Sequence, residues 1–507
     1  MTESQSLLLC VMTPYFIAFV ILSVYGLHRG WLTYTYFRRH RDVPGPPPVL
    51  SEWPRVTIQL PIYNERYVIE RLVNAVSEFD YPRELLDIQV LDDSTDDTQE
   101  IARSCVERHK AMGLPIRCLH RSNRTGFKAG ALAEGLQSAT GELIALFDAD
   151  FLPGPDFLRR TVPYFADSRV GMVQTRWTFL NRNYSALTMV STLMFDAHFV
   201  IDQGARSRSG VFFNFNGAAG VWRRETIEDA GGWHADTLSE DADLSYRALL
   251  RGWRFLYLPN VECPSELAVE MNGFKAQQAR WAKGTTQIAK KILPGLLWSK
   301  QRARVKAEAF LHLTGYMGCP LTVVLSVLLV PALLVRLRHG WRGWATCDLL
   351  GGMSMLSMLA YFLVSQRILR PHSWTRSILY LPHMVAVGMG LSLRNTKAVL
   401  EAVLGIRSEF VRTPKFSIRG TSGSWHGKKY GIGSEWTSLL EIAFGLYFVL
   451  AIISLIQRGS YRFVPVLLPF SWGFLYLGVM SLTQRWWQRV RRGARQRRSL
   501  LPLPGDD

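Results

Sequence analysis

The stretch Leu143-Ile144-Ala145-Leu146-Phe147-Asp148-Ala149-Asp150 runs from five apolar residues directly into two aspartates. A short apolar run of this kind predicts a buried strand, where carboxylates cannot be explained as the solvated face of a helix. Two carboxylates at positions i and i+2 of an extended segment lie close enough to share one hard cation through oxygen ligands. The stretch therefore predicts a strand that ends at a site for Mg²⁺ or Mn²⁺, with Asp148 and Asp150 as ligands. For these two residues taken alone, the alternative is an acidic turn.

Strands and helices alternate upstream of this stretch. Residues 56–60 and 88–91 have the pattern of strands, and helical patterns follow them at about 65–79 and 97–110. Such alternation predicts an α/β fold with a mostly parallel sheet and helices on both faces. In sheets of this type, ligands bind beyond the carboxyl ends of the strands.

Two further polar groups lie where such a sheet would bind a phosphorylated ligand. Asp92 and Asp93 end the second predicted strand, where a carboxylate can accept hydrogen bonds from a nucleobase or its ribose. The alternative is a turn, in which Asp96 or Asp97 caps the next helix. The loop Gly126-Phe127-Lys128-Ala129-Gly130 offers one cation ahead of a helix, an arrangement suited to phosphate. Its alternative is an ordinary surface loop.

Asp241 is the candidate general base. It belongs to Ser239-Glu240-Asp241, just ahead of an amphipathic helix that begins near Ala242. A base must reach an acceptor hydroxyl and remove its proton as the new bond forms. The alternative is a helix N-cap, because Ser-x-x-Asp ahead of an apolar run is a capping pattern.

A third group of candidates follows the base. Gln277, Arg280 and Trp281 lie at i, i+3 and i+4 and so share one helix face. An indole stacks on a sugar ring, and a guanidinium pairs with a diphosphate. The alternatives are a membrane-interface tryptophan and a solvated charge. Small residues in Asn216-Gly217-Ala218-Ala219-Gly220 predict close approach of the backbone to a ligand, or merely a tight turn.

The composition indicates a membrane protein. Hydrophobic residues make up 48% of the 507 residues, and the long apolar runs lie in about the first thirty and last two hundred. The net charge of +18 fits either nucleic acid or an anionic membrane surface. Basic residues cluster beside apolar segments, and zinc-finger and RNA-binding signatures are absent from the sequence, so we expect membrane lipids and no nucleic acid as partners. The six cysteines form no Cys-x-x-Cys pair.

The predicted domains follow the apolar runs. They are an N-terminal transmembrane anchor with a basic flank (1–43), a Pro-rich linker (44–54), an α/β domain (55–300), transmembrane and interfacial helices (301–395), a cytosolic loop (396–436), a transmembrane hairpin (437–484) and a basic cytosolic tail (485–507). The first span, about 7–27, lacks a basic region before it and a cleavage site after it, which favours a retained anchor over a signal peptide.

The topology follows from charge and parity. Basic residues Arg38, Arg39 and Arg41 place the end of the first span in the cytoplasm. Candidate spans then lie at about 310–335, 346–366, 437–457 and 463–483, with a fifth apolar stretch at 378–393. If all five crossed, the Arg-rich tail would lie outside, so 378–393 is predicted to lie in the interface plane. That assignment also returns the loop 395–436 to the cytosolic side.

Several motifs give the chain a family resemblance. They are Pro61-Ile62-Tyr63-Asn64-Glu65-Arg66, Leu91-Asp92-Asp93-Ser94, Gly126-Phe127-Lys128-Ala129-Gly130, Phe147-Asp148-Ala149-Asp150-Phe151, Phe215-Asn216-Gly217-Ala218-Ala219-Gly220 and Gln277-Gln278-Ala279-Arg280-Trp281. In this order, between membrane segments, they resemble the processive family 2 glycosyltransferases, the group of cellulose, chitin and hyaluronan synthases. The likeness is strongest to the plant cellulose-synthase-like glucomannan and β-1,4-glucan synthases, and it covers about residues 55–295.

The resemblance implies a GT-A (Rossmann-like) fold, a nucleotide-sugar donor, a divalent metal and inversion at the anomeric carbon. It implies that Asp93 contacts the nucleoside, Asp148 and Asp150 the diphosphate and metal, and Asp241 the acceptor hydroxyl. Phe410-Val411-Arg412-Thr413-Pro414-Lys415 is similar to the mobile gating loop of cellulose synthases. The remaining candidates are Pro61, Tyr63, Glu65, Asp92 and Lys128 for the donor, and Asn216, Gly217, Glu240, Gln277, Arg280, Trp281, Thr413 and Lys415 for the acceptor and diphosphate. Ser239 departs from the Thr that usually begins the base motif.

The expected function is a membrane-embedded inverting β-glycosyltransferase that elongates a β-linked polysaccharide, a β-1,4-glucan or (gluco)mannan, from UDP-glucose or GDP-mannose. Two alternatives stay open: transfer of one sugar to a lipid acceptor, and a non-catalytic membrane subunit of an export complex. The expected location is a plasma or inner membrane in a bacterium, or the Golgi in a eukaryote, with the α/β domain in the cytosol. Export subunits are further expected partners.

Overall fold

The structure is a computed structural model that describes residues 3–339, 344–408 and 410–499. Its strands are β1 (Val56–Ile62), β2 (Leu86–Asp92), β3 (Ile116–His120), β4 (Leu143–Leu146), β5 (Val170–Phe179), β6 (Gly220–Arg223) and β7 (Arg254–Ser265). They form one sheet in the order β3-β2-β1-β4-β6-β5-β7. Strand β6 is antiparallel to both neighbours, whereas the other pairs are parallel. The mostly parallel sheet predicted from the sequence is therefore confirmed.

Sixteen α-helices complete the described ranges. They are α1 (Glu3–Arg38), α2 (Ile69–Ser77), α3 (Thr98–Ala111), α4 (Phe127–Ser138), α5 (Phe157–Thr161), α6 (Ala186–Ala197), α7 (Gly204–Ser209), α8 (Arg224–Asp229), α9 (Glu240–Leu250), α10 (Met271–Trp298), α11 (Ala303–Leu313), α12 (Gly318–His339), α13 (Trp344–Leu369), α14 (Leu381–Val403), α15 (Thr437–Gln457) and α16 (Val464–Ser499).

The central strands are buried on both faces, which explains their unbroken apolar sequence. Ile58 of β1, Val90 of β2 and Ala145 of β4 are all fully buried. Parallel strands that are covered by helices on both sides have continuous apolar sequences, because neither face of the sheet meets water. The register sets Ile62 beside Asp92 and Gln59 beside Leu146, so the carboxyl ends of these three strands share one edge of the sheet.

The first helix after β1 begins later than the sequence pattern predicts. The expected helix at 65–79 is observed only from Ile69 to Ser77. Asn64 has a φ of +54° and its backbone N–H donates to Ser94 Oγ at 2.9 Å. A left-handed residue cannot continue a right-handed helix, so the chain turns here and leaves Tyr63 and Glu65 at the edge of the sheet.

Five of the described helices are long and apolar enough to cross a membrane. They cover Cys10–Arg38, Gly315–Arg338, Thr346–Leu369, Thr437–Gln457 and Tyr461–Gln484. The apolar stretch 378–393 is not among them. It forms a short 3₁₀ turn and the first half of α14, a helix that packs against α10, α12 and α16. Its orientation in the interface plane stays a prediction.

A buried ion pair joins α10 to α15, one of the candidate membrane helices. Lys275 of α10 contacts Glu441 of α15 at 2.7 Å and donates to Ser481 of α16 at 3.1 Å. The side chains of Lys275 and Glu441 are 5% and 0% exposed. Because α10 also carries the predicted Gln277, Arg280 and Trp281, these contacts link the candidate site to α15 and α16.

Replacing one member of this pair has a predictable effect on stability. We expect Glu441→Leu to lower the stability of the fold by about 3 kcal/mol, because it leaves the Lys275 ammonium buried without a countercharge. The double variant Lys275→Met/Glu441→Leu removes both charges and should recover most of the loss. Thermal unfolding in detergent measures both variants, and an equal loss in the single and double variants would contradict the explanation.

Candidate active site

A cavity of about 190 Å³ opens at the carboxyl edge of the sheet. Every residue predicted from the sequence as a site residue lines it except Asp92. These residues are Pro61, Tyr63, Glu65, Asp93, Lys128, Asp148, Asp150, Asn216, Gly217, Glu240, Asp241, Gln277, Arg280, Trp281, Thr413 and Lys415.

The two consecutive aspartates after β2 have different surroundings. Asp93 lines the cavity and forms an ion pair with Arg121, whose Nε donates to Oδ1 of Asp93 at 2.7 Å. Asp92 is fully buried, accepts the backbone N–H of Ser94 at 2.9 Å and pairs with His120 at 2.9 Å. The predicted contact of Asp92 with a donor therefore does not fit the structure, because its carboxylate is used to hold the loop after the strand.

Each aspartate of the Asp148-Ala149-Asp150 motif pairs with a lysine. Lys128 Nζ lies 2.6 Å from Asp148 Oδ1 and also donates to the carbonyl of Gly217 at 2.8 Å. Lys415 Nζ lies 2.7 Å from Asp150 Oδ2. Burial opposes the charge on Lys128, but Asp148 and Glu240 outweigh it and raise the pKa of this lysine. The predicted phosphate-binding lysine thus reaches the cavity as a full cation.

The Asp148 and Asp150 side chains fit a divalent cation. Their lysine pairs use Oδ1 of Asp148 and Oδ2 of Asp150, and in the described ranges the other oxygen of each carboxylate is left open. Asp148 is the more accessible, with 35% of its side chain exposed. Hard cations prefer such carboxylate oxygens. A separate group of potential ligands (His234, Asp236 and Asp243) lies away from the cavity lining, and Lys291 contacts both of its aspartates.

Asp241 lies in the first turn of α9, and its environment suits a general base. Burial, followed by the charge of Glu240, raises the pKa of Asp241 to about 7, against the opposing effect of Lys128. Gly217, with a φ of +86°, keeps the space in front of Asp241 open, since a Cβ there would lie 3.1 Å from Asp241 Oδ2. Ser239 occupies the N-cap position, but its side chain makes no capping hydrogen bond. The capping interpretation is therefore not supported.

The raised pKa of Asp241 predicts a pH dependence. Its carboxylate accepts a proton only when ionised, so the rate of the base-dependent step should rise as pH increases through about 7 and fall on the acid side. The measurement is kcat/KM from mildly acid to mildly alkaline pH. A flat profile across neutrality with chemistry limiting would contradict this assignment.

Gln277, Arg280 and Trp281 line the cavity from one face of α10. The Trp281 ring meets Phe195 of α6 edge-to-face at 5.5 Å between centroids. Arg280 is buried, which lowers its pKa, while the carboxylates of the cavity act in the opposite direction. The lining position of Trp281 favours the ligand-facing interpretation over that of a membrane-interface tryptophan.

A buried glutamate that the sequence patterns did not single out fastens the loop around Lys415. Glu266, at 1% exposure, accepts the backbone N–H of Phe416 at 2.7 Å and that of Ile418 at 3.2 Å. It also pairs with Arg71 at 2.9 Å. Loop residue Arg412 pairs with Glu65, whose pKa burial raises to about 7. The loop resembling a gating loop is thus held over the cavity by contacts at both ends.

The sequence patterns did not predict a second cluster of aromatic and cationic side chains at the cavity. Arg124 stacks on Tyr63 with its guanidinium carbon 3.4 Å from the ring centroid, and Phe410 lies 4.5 Å from the guanidinium carbon of Arg280. Phe410 also stacks on Phe127 at 5.8 Å. Arg124 lies just ahead of the Gly126-Phe127-Lys128 loop, and only the fold brings it beside Tyr63.

Comparison with known proteins identifies the family. The family model described as "Glycosyltransferase like family 2" matches residues 54–284. A probable glucomannan 4-beta-mannosyltransferase 3 of Arabidopsis thaliana is 32% identical over 447 residues, covering 85% of this chain and 77% of that protein. The chain therefore belongs to glycosyltransferase family 2, and its mixed sheet is GT-A-like.

The chain is similar to particular members as well. Glucomannan 4-beta-mannosyltransferase 1 of Oryza sativa subsp. japonica is 42% identical over 273 residues, which are 52% of each chain. Glucomannan 4-beta-mannosyltransferase 2 of Arabidopsis thaliana is 42% identical over 257 residues, which are 50% of this chain and 48% of that one. The matched part thus spans about half the length of these two relatives. Among solved structures, the mannosyltransferase PcManGT from Pyrobaculum calidifontis, in complex with GDP-Man and Mn²⁺, has a TM-score of 0.48 and 25% identity, covering 68% of this chain and 99% of that one.

Proposed function

We propose that this protein is a membrane-embedded inverting glycosyltransferase that elongates a β-1,4-linked mannan or glucomannan, with GDP-mannose as the first donor to test. The observation that carries the proposal is that three separated carboxylates, Asp148, Asp150 and Asp241, line one cavity with the Gln277–Trp281 face of α10. The glucomannan mannosyltransferase relatives support mannose as the sugar.

The proposed roles follow from the contacts of each side chain. Asp241 takes the proton of the acceptor hydroxyl, whose oxygen attacks the anomeric carbon from the face opposite the leaving diphosphate. Lys128 and Arg280 provide positive charge toward the phosphates. Trp281 offers an indole face for the acceptor sugar. Asp93 and Tyr63 border the nucleoside end of the cavity.

Asp148 and Asp150 would hold the divalent cation. When bound, such a cation neutralises charge that develops on the leaving diphosphate. Lys415 must then share or release Asp150, since the two are in contact at 2.7 Å. The loop held by Glu266 is therefore proposed to change its contacts when donor and metal bind.

A donor screen tests this proposal. Purified protein in nanodiscs with Mn²⁺ or Mg²⁺ and β-1,4-mannan and β-1,4-glucan oligosaccharide acceptors is offered GDP-mannose, UDP-glucose, UDP-N-acetylglucosamine and UDP-galactose, and nucleotide release is followed. We expect release with GDP-mannose and a product that β-mannanase digests. Release with UDP-glucose alone would change the sugar, and a product that extracts only as glycolipid would favour single-sugar transfer. Absence of release with every donor would refute the enzyme assignment.

The location of the reaction is also a proposal. The five candidate membrane helices support an integral membrane protein. The basic residues that follow the first span support a cytosolic α/β domain, where nucleotide sugars are available. A cysteine introduced on the surface of the α/β domain tests this orientation. Its labelling by a membrane-impermeant reagent is compared before and after the membrane is permeabilised.

A further inference from the structure

His198 lies behind the cavity wall and reaches it only through another side chain. It begins a π-helical segment, His198–Gln203, that joins α6 to α7. Its Nε2 lies 3.1 Å from Oδ1 of Asn216, and Asn216 lines the cavity. An amide oxygen only accepts, so this contact is a hydrogen bond when Nε2 carries the proton; Gln203 Nε2 lies 3.5 Å from the same nitrogen. Single π-helical turns frequently occur at functional sites, because they redirect side chains out of the regular helix pattern.

A buried carboxylate faces the other nitrogen of the imidazole. His198 Nδ1 lies 3.4 Å from Oδ2 of Asp202, and this oxygen also pairs with Arg29 of α1 at 2.6 Å. The Asp202 side chain is only 4% exposed, and Arg29 lies 5.3 Å from the ring centroid of Tyr361 on α13. A continuous row of polar contacts therefore runs from a candidate membrane helix to the cavity.

These contacts leave one atom of Asn216 without a partner. Its backbone N–H donates to Gln174 Oε1 at 2.9 Å, and its Oδ1 is occupied by His198. Its Nδ2 is shielded from solvent and has no hydrogen-bond partner among the described residues. A shielded amide donor without an acceptor is costly, which makes it a position where a ligand hydroxyl or carbonyl would be stabilised.

The residue after Asn216 lies close to Asp241. Gly217 follows Asn216, and a Cβ on it would lie 3.1 Å from Asp241 Oδ2. Asn216 and Asp241 also line the same cavity, so the Asn216 side chain and the carboxylate proposed to deprotonate the acceptor border one space. Held by His198, the Asn216 amide presents an N–H donor; rotated by a half turn, it would present its carbonyl instead.

We propose that His198 is a positioning residue that fixes the Asn216 amide so that Nδ2 donates to a hydroxyl of the acceptor sugar beside Asp241. This inference rests on the proposed function. His198 need not touch either substrate, and its effect should pass entirely through Asn216.

The test is a double-variant cycle on sugar transfer from GDP-mannose to β-1,4-mannohexaose. His198→Ala should lower kcat/KM for the acceptor by about tenfold, the effect of one lost hydrogen bond, and leave the KM of GDP-mannose unchanged. Asn216→Ala should have a similar effect, and the double variant should be no worse than Asn216→Ala alone. His198→Gln keeps an N–H donor and should restore part of the loss. His372→Ala, an exposed histidine in the turn after α13, is the matched control.

The outcomes separate this inference from the proposed function. If the losses in kcat/KM of His198→Ala and Asn216→Ala multiply in the double variant, the positioning role is overturned. A changed KM for GDP-mannose with an unchanged acceptor KM would overturn it as well. A fully active His198→Ala variant would also overturn it while leaving the transferase assignment intact. If the wild-type protein transfers no sugar from GDP-mannose under these conditions, the mannosyl-transfer proposal fails first, and the inference falls with it.

Discussion

Asp241→Asn should reduce sugar transfer by about a thousandfold. An amide cannot accept the acceptor proton, and general-base catalysis typically contributes about 10²–10⁴ in rate. The size of the side chain is unchanged, and the backbone N–H of Ala242 that donates to Asp241 Oδ1 at 2.8 Å can still find an oxygen in the amide. Binding of the nucleotide should therefore survive, which separates this variant from one that misfolds.

The measurement pairs transfer with binding. Initial rates of GDP release with acceptor present report the chemical step, and the affinity for GDP reports the donor pocket. Asp156→Asn, an exposed aspartate at the start of α5 with 62% of its side chain accessible, is the matched control and should behave as wild type. Retention of full transfer by Asp241→Asn would remove Asp241 from the base role.

The positions of the candidate carboxylates could be predicted because of one rule of sheet geometry. Polar residues that end buried parallel strands meet at one edge, so Asp93 and Asp148 converge although they are far apart in the chain. The same rule failed for Asp92 for a simple reason. Successive side chains of an extended segment point in opposite directions, so only one of two adjacent aspartates can face the cavity, and the sequence does not tell which.

Other features of the site depend on contacts between distant parts of the chain. Glu266 receives the backbone of the 416–418 loop and the side chain of Arg71, and no local spacing relates these three segments. The antiparallel insertion of β6 between β4 and β5 likewise follows from packing and not from a periodic pattern. The role inferred for His198 is of this kind, since its partner Asn216 belongs to a different element.

The sequence predicted approximate positions for the long apolar helices, but their first and last residues less well. The last two candidate spans lie close to the predicted 437–457 and 463–483, whereas the first extends past residue 27 to Arg38. That helix continues past the apolar run through Trp31, Tyr34 and Tyr36 to Arg38. Apolar run length measures what can be buried in lipid, and the helix itself ends where its backbone hydrogen bonds end.

Asp148→Asn should lower the transfer rate by about a thousandfold and remove its dependence on added Mn²⁺ or Mg²⁺, because cation stabilisation of a leaving diphosphate contributes several kcal/mol. The amide also removes a carboxylate ligand of the cation, so affinity for GDP in the presence of Mn²⁺ should fall, in contrast to Asp241→Asn. The check is a Mn²⁺ titration of GDP release for wild type, Asp148→Asn and the Asp156→Asn control, with a chelator arm for each. If chelation leaves the wild-type rate unchanged, the lysines themselves carry the charge of the leaving group. In that event Lys128→Met, and not Asp148→Asn, should cause the larger loss, since Lys128 is then the cation that faces the diphosphate.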